Sequence, residues 1–170
     1  MRKEARLLKD KAVDAVMLAV ESFNRPVDRG RTDSVLRDLS HAFEMLMKAV
    51  IVERGGRIRE RRATQTIGFD ACVRKGLSDE KVKFLGEEQA LTIQMLNALR
   101  DAAEHYLVEL SEQQLYVQAQ AALTLFADIL EDGWSAGSSS RSAESGFAAT
   151  CRGTGLRIGM ASGTFLMTHD

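Results

Sequence analysis

The sequence predicts an all-α protein, a bundle of four long helices with one short helix. Three observations carry this. Apolar residues recur at spacings of three and four in four separate stretches, the period of amphipathic helices. The 170 residues include a single proline, and β-branched runs, which favour strands, are few. Helices with one apolar face must bury it on one another, and a bundle is the simplest way to do so.

The first helix is expected from Glu4 to Phe23, with Leu8, Ala12, Ala15, Val16, Ala19, Val20 and Phe23 as its buried face. Asn24-Arg25-Pro26 ends it, because the residue before a proline is driven out of the helical region. The second begins near Thr32 or Asp33 as N-cap and carries Leu36, Leu39, Phe43, Leu46, Met47 and Val50. Gly55-Gly56 stops it. The basic connector Arg57-Ile58-Arg59-Glu60-Arg61-Arg62 leads to an apolar segment, Ile67 to Val73, read as one or two helical turns starting at Asp70. After Gly86 a third long helix places Leu91, Met95, Leu99, Ala102, Ala103 and Tyr106 on the stripe expected to face the core. Ser111 with Gln114 fits a capping box opening the last helix, whose buried face is Leu115, Ala119, Ala122, Phe126 and Ile129. These elements make one helical domain over residues 1–133. From 134 to 170 the chain is rich in Gly and Ser, shows no sustained period, and reads as a disordered tail.

Composition narrows the function classes. A hydrophobic content of 45% suits an ordinary packed core. The formal net charge of -1 argues against coating nucleic acid by bulk positive charge, so any polyanion must be met by a local patch. Cys72 and Cys151 lack metal-ligand spacing and make no disulfide framework, so a reducing cytoplasm is the expected compartment. No apolar run approaches the roughly 20 residues that span a bilayer, and no signal peptide is read at the start.

The stretch LRDAAEHY, residues 99–106, holds the candidate chemistry. At about 100° per residue Asp101 lies one turn before His105, within reach to orient the imidazole and favour its protonated form. Arg100 offers a planar, permanently charged fork suited to phosphate. Asn97, Arg100, Asp101, Glu104 and His105 form a polar strip, expected opposite the Met95, Leu99, Ala102 and Tyr106 stripe. With 16 arginines and three histidines in the chain, such a spacing arises readily by chance, so composition alone favours a solvated face.

The segments LAVESFNRP, LSHAFEMLMKAVIVERGG and LTIQMLNALRDAAEHYLVELSEQQLYVQAQ together resemble an uncharacterised bacterial family, the domain of unknown function 3644, which is similar to a branch of the HEPN superfamily. The resemblance runs from about Leu7 to Leu130 and is most specific from Leu96 to Gln114. Active HEPN ribonucleases share an Arg, usually followed by a polar residue, then a His after four to six positions; Arg100, Asp101 and His105 match. The resemblance implies a HEPN-like bundle and metal-independent RNA cleavage at a site shared by two protomers of a homodimer. Phage defence and a toxin–antitoxin pair are the settings it suggests. In these roles His105 moves protons, Arg100 stabilises charge, Asp101 orients His105, and Asn97 contacts RNA or fixes the strip. The alternative is a non-catalytic HEPN module that binds RNA, a nucleotide or a partner protein, and a regulatory partner fits either reading. The tail departs from the continuation expected of such a family, as a truncated or frame-shifted end would.

Arg54, Arg57, Arg59, Arg61 and Arg62 crowd a short connector and are candidate contacts to RNA phosphates, against the plainer reading of a solvated loop. His41 and Glu44 have the spacing of two metal ligands, but no matching cluster completes the set, so an exposed Glu44–Lys48 pair is expected instead, with no metal and no cofactor. Gly55-Gly56 lacks the Lys-Ser/Thr of a phosphate loop. Met17, Met45, Met47 and Met95 are read as core filler.

Overall fold

The computed structural model describes residues 1–60, 63–105 and 110–134, together with the backbone of 148–151, 156–161 and 164–169. The fold is all-α. Five helices follow in order: α1 (Lys3–Phe23), α2 (Arg31–Glu53), α3 (Phe69–Ser78), α4 (Glu87–His105) and α5 (Glu112–Asp132).

α2 is the central element and packs against α1, α3, α4 and α5. Its C-terminal half shows why: every residue from Leu46 to Val52 is buried. A helix enclosed on all sides must be apolar all round, and this stretch is apolar save for Lys48. Phe43 meets Phe126 of α5 edge-on, with ring centroids 5.8 Å apart, which anchors the middle of the bundle.

The helix ends follow from local chemistry. Gly55 sits at φ +88°, its N–H donating to the Val52 carbonyl while the Gly56 N–H donates to Ile51, the paired bonds of a left-handed helix stop. At α5 both arms of the capping box form: the Ser111 hydroxyl accepts from the Gln114 N–H at 3.2 Å, and the Gln114 side chain accepts from the Ser111 N–H at 2.9 Å.

Three expectations need correction. α2 starts at Arg31, before Thr32 or Asp33, with Gly30 at φ +70° as N-cap and no side-chain cap; Arg31 instead braces the turn by donating to the Arg25 carbonyl and pairing with Asp28. α3 is a full ten-residue helix starting at Phe69, because Phe69, Cys72, Val73 and Gly76 all face the core. On α4 the fully buried residues facing the core are Ala90, Ile93 and Leu96; of the expected stripe Leu99 and Ala103 pack against the core partly buried, whereas Leu91 is 58% and Met95 51% exposed. Met95 is therefore not core filler, and Asn97 and Arg100 adjoin the packed face rather than opposing it. Tyr106 lies outside the described residues.

After α5, Trp134 folds back on α1, its indole N–H donating to the Met1 sulfur and its ring lying 5.0 Å from the Lys9 ammonium. Three short strands follow, β1 (Ala148–Cys151), β2 (Leu156–Ala161) and β3 (Thr164–His169), in an antiparallel sheet ordered β1-β2-β3. They run four to six residues each, too short for a sustained period to mark them in the sequence. Most of the Gly/Ser-rich stretch, on which the expectation of disorder chiefly falls, lies outside the described residues.

Gly56 offers a test of this packing. A Cβ there would lie 2.7 Å from both Ile51 and Val82, whereas one at Gly68 meets nothing within 4 Å. Gly56→Ala is expected to lower stability by about 1–3 kcal/mol through overpacking, and Gly68→Ala by much less. Urea unfolding of the two variants checks this.

Candidate functional site

α4 presents two different faces. On the side of Ile93 and Leu96 its next polar residues, Asn97 and Arg100, face α2. Across from them α2 offers Arg37, Ser40, His41 and Glu44, spaced so that all four share one face. These six residues, with Phe69 from the start of α3, line a cleft of about 160 Å³.

Arg100 is held in a dense set of contacts. One guanidinium nitrogen, Nη2, donates to Asn97 Oδ1 at 2.9 Å and lies 3.1 Å from Asp101 Oδ1; Nη1 donates to Glu104 Oε2 at 3.2 Å. Its Nε is buried and has no partner among the described residues. Asn97 also donates weakly to Asp101, at 3.5 Å. Glu104 lies 3.8 Å from Arg37 Nε, which links α4 to α2 across the mouth of the cleft. Ser40 is only 4% exposed, and its hydroxyl too has no partner among the described residues.

The strip read from the sequence thus divides. Asn97 and Arg100 enter the cleft, and Asp101 and Glu104 hold Arg100. Asp101 turns to Arg100 and Asn97, not to His105; among the described residues no contact joins it to the imidazole, since a permanently charged guanidinium one residue away competes better for the carboxylate. His105 is exposed at the last turn of α4 and does not line the cleft. The histidine that does so is His41. The sequence reading takes His41 only as a metal ligand; the signal available is the set of polar residues at 37, 40, 41 and 44, which share one helix face.

Glu44 pairs with Lys48, as its spacing indicated, but the pair is not an exposed one. Lys48 is 3% exposed, and its ammonium also donates to Thr66 Oγ1 at 2.9 Å. An isolated ammonium at that depth would be costly, and both partners offset the cost. Among the described residues no three His, Cys, Asp or Glu come together as a metal site.

The basic connector separates into distinct roles. Arg57 and Arg59 are exposed and line a shallow depression with Arg2. Arg61 and Arg62 lie outside the described residues. Arg54 is structural: its guanidinium donates to the Lys83 carbonyl and, at 3.3 Å, to the Asp132 carbonyl, tying together the ends of α2 and α5.

Comparison with protein families gives one finding: the model of the Domain of unknown function (DUF3644) matches residues 7–145. The chain belongs to this family. The match takes in nearly all of the DUF3644 bundle, including both walls of the cleft and the whole of α4. Neither the curated proteins nor the solved structures contain a match to this DUF3644 chain. Among its described residues, no helix is long and apolar enough to cross a membrane.

Beside the cleft, burial raises the pKa of Asp38 above the usual carboxylate range, outweighing the opposing pull of Arg37 and His41. With its folded pKa above the unfolded one, Asp38 is neutral at no cost in acid and lowers stability once the pH climbs through the folded value. Asp38→Asn is expected to raise the melting temperature at neutral pH and to leave it unchanged below the carboxylate range. Melting curves at several pH values check the sign.

Proposed function

We propose that this chain is a HEPN-like, metal-independent endoribonuclease acting as a homodimer, with Arg100 and His105 as its Arg-x4-His motif. The observation that carries the reading is the outer face of α4. Leu91, Met95, Ala98 and His105 fall within about 80° of one another on the helix, so the exposed apolar stripe and the exposed histidine share a face. Covering that stripe with a second copy through a two-fold axis brings two His105 side chains to one seam, while each Arg100 stays on the α2 side of its helix, about 140° from His105.

The chemistry this permits is attack by an RNA 2′-hydroxyl on its neighbouring phosphate. The O2′–P bond forms, the P–O5′ bond breaks, and the products end in a 2′,3′-cyclic phosphate and a 5′-hydroxyl. One imidazole takes the 2′-hydroxyl proton and the other supplies a proton to the leaving 5′ oxygen. Arg100, on the α2 side of the helix, holds the RNA chain by a phosphate beside the reacting one. Asp101 acts through Arg100, fixing the fork, so the part first assigned to it at His105 falls to the seam. Arg57 and Arg59 extend the RNA contact along the phosphates, and Arg61 and Arg62 belong to the same connector.

One observation favours a second reading, a non-catalytic module that binds RNA or a partner protein. Arg100 already satisfies Asn97, Asp101 and Glu104, as an arginine with a purely structural duty would.

Structured RNA incubated with the protein in chelator separates the two. The enzyme reading expects fragments with cyclic-phosphate ends. His105→Ala is then expected to slow cleavage by about 10²–10⁴-fold without unfolding an exposed helix end. Met95→Asp is expected to give monomers in sedimentation and to lose cleavage with them. RNA that is bound and stays intact supports the second reading.

A further inference from the structure

We propose that the cleft between α2 and α4 is a phosphodiester-binding subsite for RNA, formed within one protomer by Arg37 and His41 of α2 with Asn97 and Arg100 of α4. The choice of RNA rests on the ribonuclease reading; the site itself rests on the cleft.

The lining chemistry selects an anion. Arg37 and Arg100 are permanently charged, and His41 adds a third donor at the same wall. Among the described residues the only acid that lines the cleft is Glu44, and its carboxylate is engaged by the Lys48 ammonium. The acids that pair with Arg100 stand outside the lining: Asp101 is half exposed, and Glu104 bridges Arg100 to Arg37.

Two unpaired donors mark the cleft as a site with room for a ligand. The Ser40 hydroxyl is almost wholly buried in its wall with no partner, and the Arg100 Nε–H is likewise buried and unsatisfied. Buried donors normally find an acceptor, and two at one cleft are accounted for by an oxygen-rich group that the wall is shaped to meet. A tetrahedral phosphate supplies several acceptor oxygens at once, and a planar guanidinium meets two of them with parallel bonds. Glu104, at the mouth of the cleft, competes for the two arginines and releases them when RNA binds.

The site also gives Arg100 an imidazole neighbour in its own protomer. His105 stands about 140° away around α4, whereas His41 faces Arg100 across the cleft. His41 is thus a binding residue for the phosphate and is distinct from the seam histidine.

The test is binding of a 2′-O-methyl RNA octamer, which cannot be cleaved by its own 2′-oxygen, alongside inorganic phosphate. Arg37→Gln and His41→Gln are each expected to weaken octamer binding about ten-fold or more, the size of a lost charge-assisted contact. Glu104→Gln is expected to tighten it several-fold by freeing both arginines, a gain that misfolding cannot produce. Inorganic phosphate is expected to shift the His41 ring signals in NMR and to leave those of His105 in place. Octamer affinity unchanged in Arg37→Gln and His41→Gln, with His41 signals unmoved by phosphate, overturns the proposal. A phosphate response at His41 with no RNA cleavage by the wild type removes the ribonuclease reading and keeps the site. Cleavage without that response removes the site and keeps the reading.

Discussion

The enclosure of α2 governs the rest of the molecule. Four other helices pack on it, and its second half has no side open to water. That demands an apolar surface all round, and the residues from Leu46 to Val52 comply except at Lys48. Only the earlier half of α2 is free to carry polar side chains, and there Arg37, Ser40, His41 and Glu44 gather on the face turned to α4. The position of the cleft is thus a consequence of where the central helix can afford polarity.

α4 must satisfy two surfaces at once. Its inner side gives Ala90, Ile93 and Leu96 to the core and Asn97 and Arg100 to the cleft, while its outer side shows Leu91, Met95 and Ala98 to solvent. The outer stripe is apolar although it faces solvent. A monomeric helix gains nothing from that distribution, which is why the outer face carries weight in the functional reading.

The same distribution explains what could be read from the sequence. α1, α2 and α5 have one dominant apolar stripe and unambiguous stops, such as Gly55-Gly56 and the Ser111 capping box, and periodicity located them well. On α4 the expected stripe is right only in part: Leu99 and Ala103 pack on the core, while Leu91 and Met95 face out and Ala90, Ile93 and Leu96 face in. Arg100 and Asn97 were legible because they form a local pattern on one helix. Arg37, Ser40 and His41 were not, because their relation to Arg100 exists only across two helices some sixty residues apart. Lys48 shows the converse: its pairing with Glu44 was visible as a spacing, but its burial depends on Thr66 and the packing of α2.

The Lys48–Thr66 bond bears on motion as well as on stability. The segment between α2 and α3 contributes little to the core beyond Ile58, and a loop of that kind ordinarily opens on its own, well below the free energy of global unfolding. Here opening would carry Thr66 away from an ammonium that has only Glu44 besides, so the loop's fluctuations are coupled to the most protected helix in the fold. The exposed Arg57 and Arg59 are therefore displayed on a tethered strap, held in place before any polyanion arrives, and binding to them need not pay the full entropy of ordering a free segment.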